Sequence, residues 1–174
     1  IARFLRGEFG RMEDVHPMIV ALLFAEDRRD ASALIRRWLQ EGRTVLLDRY
    51  VYSNIAFQCA KLSSPEESAA LEEWILRTEY EVYGIPRPDL NIFLDVPLSF
   101  VSGRLAAQRE GSDREYLHGG QDIHEADLDF QRRVREVYLR LCRKDPAFLR
   151  VDCCGTDGQM PSAEEVFERI RKVL

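Results

Sequence analysis

Asp48-Arg49-Tyr50 closes a short apolar run and concentrates more potential chemistry than any neighbouring stretch. An arginine guanidinium is a planar fork of donors that fits phosphate oxygens, and a carboxylate beside it can help hold magnesium, directly or through water. A local Asp–Arg ion pair with the tyrosine in a core accounts for the tripeptide equally well. The residues that follow, Val51-Tyr52-Ser53-Asn54-Ile55-Ala56-Phe57-Gln58, read as a helix. Their three- and four-residue spacings let Ser53, Asn54, Phe57 and Gln58 share a face. Hydroxyl, amide and aromatic groups beside a phosphate-binding arginine suit a nucleotide's base and sugar; an N-terminal turn with Phe57 in the core is the plainer alternative. Upstream, Phe24 and Arg28 are four apart and project together, so a ring could stack on a base while the guanidinium donates to its carbonyl oxygen. Most such phenylalanines simply fill a core.

These side chains need elements to hold them. The pattern predicts a long helix over 15–41, with Asp14 as N-cap, Pro17 in the first turn and Gly42 as the stop. Thr44–Leu47 reads as a buried strand ending at Asp48-Arg49-Tyr50. Helices follow at 52–61 and 66–83, then a strand at 91–96 and a helix at 98–109. Residues 110–122 are Gly-rich, charged and without periodicity. A long amphipathic helix is expected at 126–144, a third strand at 148–152 and a terminal helix at 163–173. Strands separated by helices give an α/β fold, a parallel sheet with helices on both faces. Ligands of such sheets sit beyond the carboxyl ends of the strands, which puts Asp48–Tyr50 at the site.

Composition narrows the classes. Of 174 residues, 45% are hydrophobic and 32% charged, which excludes disordered and collagen-like chains. No apolar run approaches the roughly 18–20 residues that span a bilayer, so no membrane partner is expected. A net charge of −5 argues against a general nucleic-acid binder. Arg132, Arg133, Arg135, Arg140, Arg143 and Lys144 read mainly as a solvated helix face. Cys59, Cys142, Cys153 and Cys154 show no metal spacing, and free thiols suit a reducing cytosol. Cys142 reads as a small buried hydrophobe. The opening residues, Ile1–Arg6, read as the middle of a helix.

Leu22-Leu23-Phe24-Ala25-Glu26-Asp27-Arg28 resembles the L-L-F-x-A-x-R motif of thymidylate kinases, with Glu26 at a usual Ala position. Asp48–Gln58 is similar to that family's D-R-Y-x-x-S-x-x-A-Y-Q stretch, Phe57 replacing Tyr. Arg87-Pro88-Asp89-Leu90 and Phe93-Leu94-Asp95-Val96 resemble its R/K-P-D-L and L-D-V elements. The resemblance runs in order along the chain and implies a single kinase domain over 1–174, with a lid at about 109–124.

The resemblance implies phosphoryl transfer from ATP to dTMP, with Mg2+, in a cytoplasmic homodimer whose candidate interface surrounds Met18, Leu22 and Ala25. Phe24 would stack on thymine and Arg28 would bond its edge. Arg49 would grip the dTMP phosphate, and Asp48 would help organise magnesium. Asn54 and Gln58 would read the base, Phe57 would pack near the sugar, and Ser53 would fix the loop. Arg109 and Arg114 would serve ATP and the transferring group, and Arg104 would contact ATP or merely cap its helix. Ile123 stands where many relatives have arginine, leaving Arg114 as the substitute. His124 takes the aromatic position near the sugar, or is a surface histidine at a helix start. No G-x-x-x-x-G-K-[ST] loop occurs in the sequence. It is expected, with a further strand or two, upstream of Ile1. Another nucleoside monophosphate or deoxynucleoside kinase, or a non-catalytic nucleotide-binding or dimerisation relative, are the alternatives.

Overall fold

The structure is a computed structural model that describes residues 1–11, 14–106 and 128–174. Its contacts divide the chain into two compact units, Arg3–Pro88 and Asp89–Leu174. After a short helix α1 (Ala2–Leu5), the first unit holds α2 (Pro17–Gln40), α3 (Val51–Cys59) and α4 (Pro65–Leu76), which runs into a π-helical stretch, Arg77–Val82.

Asp14 does not cap α2. Its carboxylate accepts from the Arg11 backbone N–H at 2.8 Å, while His16 is the N-cap and its Nδ1 accepts from the Met18 N–H. Pro17 follows at the first helical position, where its missing N–H costs nothing. Gly42 does end the helix, at φ 73°. Its N–H reaches Leu39 O and the Arg43 N–H reaches Trp38 O, the paired bonds of a Schellman ending. α4 starts on Ser64, whose hydroxyl accepts from the Glu67 N–H, with Glu66 and Glu67 in the first turn against the helix dipole. Val20, Ala21, Ala25, Val51, Ile55, Ala56, Leu71, Ile75 and Ile85 form the buried core. Each large aliphatic member contributes about 1.5–3 kcal/mol through its burial.

One expectation in this unit is refined and another fails. The helix predicted over 66–83 changes character after Leu76: the Tyr83 N–H bonds Thr78 O and the Ile85 N–H bonds Glu79 O, wider turns than an α-helix makes. Thr44–Leu47 is not a strand. No backbone ladder reaches it among the described residues, and Leu46 is 95% exposed. A strand exists only with a pairing partner, and the two strands among the described residues pair with each other.

The second unit contains β1 (Asn91–Asp95), α5 (Leu98–Ala106), α6 (Leu128–Lys144), β2 (Phe148–Asp152) and α7 (Ala163–Arg171). β1 and β2 are parallel, in register from Asn91↔Phe148 to Asp95↔Asp152. The twofold alternation of strand side chains sends Phe93 and Phe148 to one face, where both meet Tyr138 of α6. Val151 and Ile92 point to the other face and pack with Val166 of α7. Helices therefore cover both faces of this parallel pair, as the α/β reading requires. α6 presents Phe130, Val134, Val137 and Leu141 as its buried stripe. α7 opens with a capping box made by Ser162 and Glu165.

Arg135 is not part of a solvated face, because its guanidinium donates to buried Asp95 at 2.5 and 2.8 Å. Its helical phase beside Tyr138 directs it onto the strand end. Arg132, Arg133, Arg143 and Lys144 are exposed as expected. All four cysteines are free. Cys142 is half-buried rather than buried, and that partial burial pushes its thiol pKa up. No described helix is long and apolar enough to cross a membrane.

Candidate functional site

α2 and α3 pack against each other and carry the predicted side chains. From α2, Arg28 reaches the π-helical stretch, where Nε donates to Glu79 Oε2 at 2.5 Å and Nη2 to Oε1 at 2.6 Å. From α3, Asn54 Nδ2 donates to the same Oε1 at 2.9 Å and to the Ala21 carbonyl at 3.0 Å. Glu79 is 0% exposed, so one buried carboxylate draws together Arg28 and Asn54, two residues that sequence spacing could place only on separate helices. A bidentate arginine satisfies a desolvated carboxylate better than a single contact does.

Gln58, one turn beyond Asn54, is fully buried, and both its Oε1 and Nε2 lack a partner among the described residues. Asn54 Oδ1 is likewise buried and unpartnered. Buried polar atoms are nearly always bonded, so a cluster of orphans beside an ion pair is unusual in a purely structural core.

Arg49 adopts φ 66°, in the left-handed region that non-glycine residues seldom occupy. Its guanidinium lies over the Phe57 ring, 5.1 Å from the centroid, so these two predicted residues also come together. Backbone strain of this kind concentrates at functional sites. The next residue, Tyr50, donates its hydroxyl to the Pro86 carbonyl at 3.0 Å. Burial pushes the Tyr50 phenol up to about 12, and burial raises Tyr80 as well. Arg87 stacks on the Tyr80 ring at 4.0 Å.

Phe24 is half-buried on α2, and Asp48 is exposed beside Arg49. Arg104 lies in α5, but its side chain falls outside the described residues, as do Arg109, Arg114, Ile123 and His124 altogether. Among the described residues no three His, Cys, Asp or Glu side chains gather as a metal site. Asp48 alone fits the donor set of a magnesium ion that takes one carboxylate and completes its shell with phosphate oxygens and water. Glu26, at the family's usual alanine position, has local work: it pairs with Arg29 at 2.7 Å and accepts from the Tyr83 hydroxyl.

Sequence reasoning missed Glu79. The signal was present, because Leu71, Ile75 and Glu79 recur at four-residue spacing along one stripe. A carboxylate in phase with two core aliphatics needs a buried partner.

The second unit is of the α/β class, a parallel strand pair covered by helices, and the first is a helical unit that gathers arginines, amides and an aromatic. Three comparisons narrow that class. The thymidylate kinase family model matches residues 1–156. A thymidylate kinase from Mycobacterium tuberculosis is 34% identical over 142 residues, covering 80% of this chain and 63% of that protein. A probable thymidylate kinase from Pyrococcus abyssi is 33% identical over 151 residues, covering 86% of this chain and 61% of that protein. The solved structure of thymidylate kinase from Candida albicans matches with a TM-score of 0.64 at 26% identity, covering 91% of this chain and 66% of that one. The chain belongs to the thymidylate kinase family. It spans about three-fifths of the length of these curated relatives.

Proposed function

We propose that the protein transfers the γ-phosphoryl group of ATP to dTMP, giving dTDP for dTTP synthesis. The observation that carries this reading is the junction of Arg28 and Asn54 on buried Glu79, beside unpartnered polar atoms on α3. It offers directional hydrogen bonding where the family resemblance puts the base. Phe24 supplies the stacking ring, Arg49 the phosphate fork, and Phe57 the bulk beside the sugar, with Gln58 next to the base.

The acceptor is a phosphate oxygen, already ionised near neutral pH, so the reaction needs positioning and charge neutralisation rather than a strong base. Arg49 would offset the repulsion between two anions. Magnesium held in part by Asp48 would neutralise charge on the reacting phosphates when bound. Arg104, Arg109 and Arg114 are assigned to ATP and the transferring group, and His124 to the sugar, on the resemblance alone. Closure of the 109–124 lid would exclude water that competes as acceptor.

The same reading takes 1–174 as one kinase domain, in a cytoplasmic homodimer that binds neither nucleic acid nor membrane. Met18 and Leu22 are exposed on α2 with Ile19 and Leu23, which suits an interface there, whereas Ala25 is buried and cannot contribute surface. The test is ADP release by the intact protein with ATP and magnesium, across dTMP, dUMP, dCMP, dGMP and UMP. Preferential turnover of dTMP supports the kinase. A folded protein that turns over none of them is a binding or dimerisation module instead.

A further inference from the structure

We infer that Glu79 is the positioning residue that sets the hydrogen-bonding polarity of the base-reading face, selecting a 4-oxo pyrimidine over a 4-amino one. The inference rests on the proposed dTMP site. Both hydrogens of the Asn54 amide are spent, one on Glu79 Oε1 at 2.9 Å and one on the Ala21 carbonyl at 3.0 Å. The carboxamide is therefore held in one of its two orientations, and the atom left over is Oδ1, an acceptor that is buried without a partner.

Arg28 spends Nε and one N–H of Nη2 on the same carboxylate, at 2.5 and 2.6 Å. Its Nη1 makes no hydrogen bond among the described residues and remains a donor. The pair thus offers a ligand only donors from Arg28 and an acceptor from Asn54. A 4-oxo pyrimidine presents the complement, an N3–H donor beside an O4 acceptor. A 4-amino pyrimidine presents the reverse, an N3 acceptor beside an N4 donor. It would set acceptor against acceptor and donor against donor. Sites built around buried hydrogen bonds reject mismatched groups strongly, because the site's own polar atoms are left unpaired.

Glu79 need not touch substrate to do this. It has two acceptor oxygens and no donor, so it can bind only the donor ends of Arg28 and Asn54. A glutamine there would bring one donor, and either Asn54 or the guanidinium would have to turn away. Where the new donor faces Asn54, the carboxamide keeps only its bond to the Ala21 carbonyl, and its orientation is held by one hydrogen bond instead of two.

The experiment is calorimetric titration of the intact protein with dTMP, dCMP and thymidine. Wild type is expected to bind dTMP at least about a hundredfold more tightly than dCMP. Glu79→Gln is expected to cut that preference at least tenfold. The ratio of dTMP to thymidine affinity, which reports the phosphate contact through Arg49, should stay within about threefold. A merely structural role would lower all affinities together and leave the dTMP-to-dCMP preference in place. Glu79→Asp keeps two acceptor oxygens and no donor, so it should retain at least half of the wild-type preference on a logarithmic scale. An unchanged preference in folded Glu79→Gln, or a preference in folded Glu79→Asp that falls as far as in Glu79→Gln, overturns the inference while leaving the dTMP site standing. Wild type that fails to bind dTMP overturns the site itself, and this inference with it.

Discussion

Glu79 in the first unit and Asp95 in the second are both buried carboxylates held by arginine, yet their surroundings differ. Asp95 is 3% exposed and accepts from Arg135 through Nε and Nη2 and from Arg150 through Nε, at 2.5 to 2.8 Å. It ties the end of β1 to α6 and β2, and no orphaned polar atom on those three residues accompanies it. Glu79 is held as tightly, but its cluster leaves Asn54 Oδ1 and both polar atoms of Gln58 unmet. A closed cluster spends its hydrogen bonds on the fold. An open one keeps some for a ligand. That contrast, rather than burial or charge alone, is the reason the proposed substrate site is put in the first unit.

The sharpest way to break the comparison is to delete each carboxylate. Removing one partner of a buried ion pair strands the other charge and costs about 3–5 kcal/mol. Glu79→Ala should fall in that range, because its Arg28 partner is itself mostly buried. Asp95→Ala should cost about 3 kcal/mol, at the low end, since Arg135 and Arg150 are partly exposed and can turn to water. Urea unfolding followed by circular dichroism measures both. dTMP titration then separates them: Asp95→Ala should bind dTMP with unchanged affinity whenever it is folded, and Glu79→Ala should lose at least tenfold. Equal losses from both variants would dissolve the distinction between closed and open clusters.

Arg49 tests the open cluster from its phosphate side. Its φ of 66° is a strain that glycine does not feel. Arg49→Ala and Arg49→Gly both remove the guanidinium, and each should lower kcat/KM for dTMP by at least about a hundredfold, as loss of a charge-stabilising donor does. Their stabilities should differ. Alanine keeps the strained backbone, so the glycine variant should be more stable by about 0.5–1 kcal/mol in denaturant unfolding, despite its more flexible unfolded chain. Equal stabilities would mean that the loop relaxes once the arginine is gone, and that the side chain's contact with Phe57 holds the unusual φ.

The fold was legible where a local pattern and its partner both lie within reach of sequence reasoning. β2 follows from its apolar run, and α6 from the spacing of Phe130, Val134, Val137 and Leu141. Thr44–Leu47 has the composition of a strand but no ladder, because strand formation depends on a second segment that local composition does not specify. Of the candidate site, Arg28, Asn54, Arg49 and Phe57 could be named from spacing and resemblance, but their pairing could not. Arg28 and Glu79 are far apart in sequence and meet through tertiary packing, although Glu79 continues the buried stripe of Leu71 and Ile75. Arg135 was misread for the same reason: its charge suggested solvent, and only tertiary packing shows that its helical phase aims it at Asp95.

Tyr50 gives the smallest and most local test, because it stands between Arg49 and the Glu79 cluster. Its folded pKa of about 12 is raised chiefly by burial, with Arg28 lowering it and Glu79 raising it, so the two halves of the ion pair act on it in opposite directions. The unfolded phenol titrates near pH 10. A folded pKa above the unfolded one means the stabilisation is fully present below about pH 10 and is lost as pH rises through about 12. Tyr50→Phe removes both that dependence and the hydrogen bond to the Pro86 carbonyl. At pH 7 the variant should be about 1 kcal/mol less stable. Between pH 10 and 12 the gap should narrow, since only the wild type must keep this buried phenol protonated. Tyr80 is raised by burial and next by Tyr50, so it does not drop out of their difference, and the two proteins are compared in a Tyr80→Phe background. Urea midpoints measured from pH 7 to 11 would decide it. A gap that stays constant over that range would place the Tyr50 hydroxyl in water, and would move the boundary of the open cluster inward to Asn54 and Glu79.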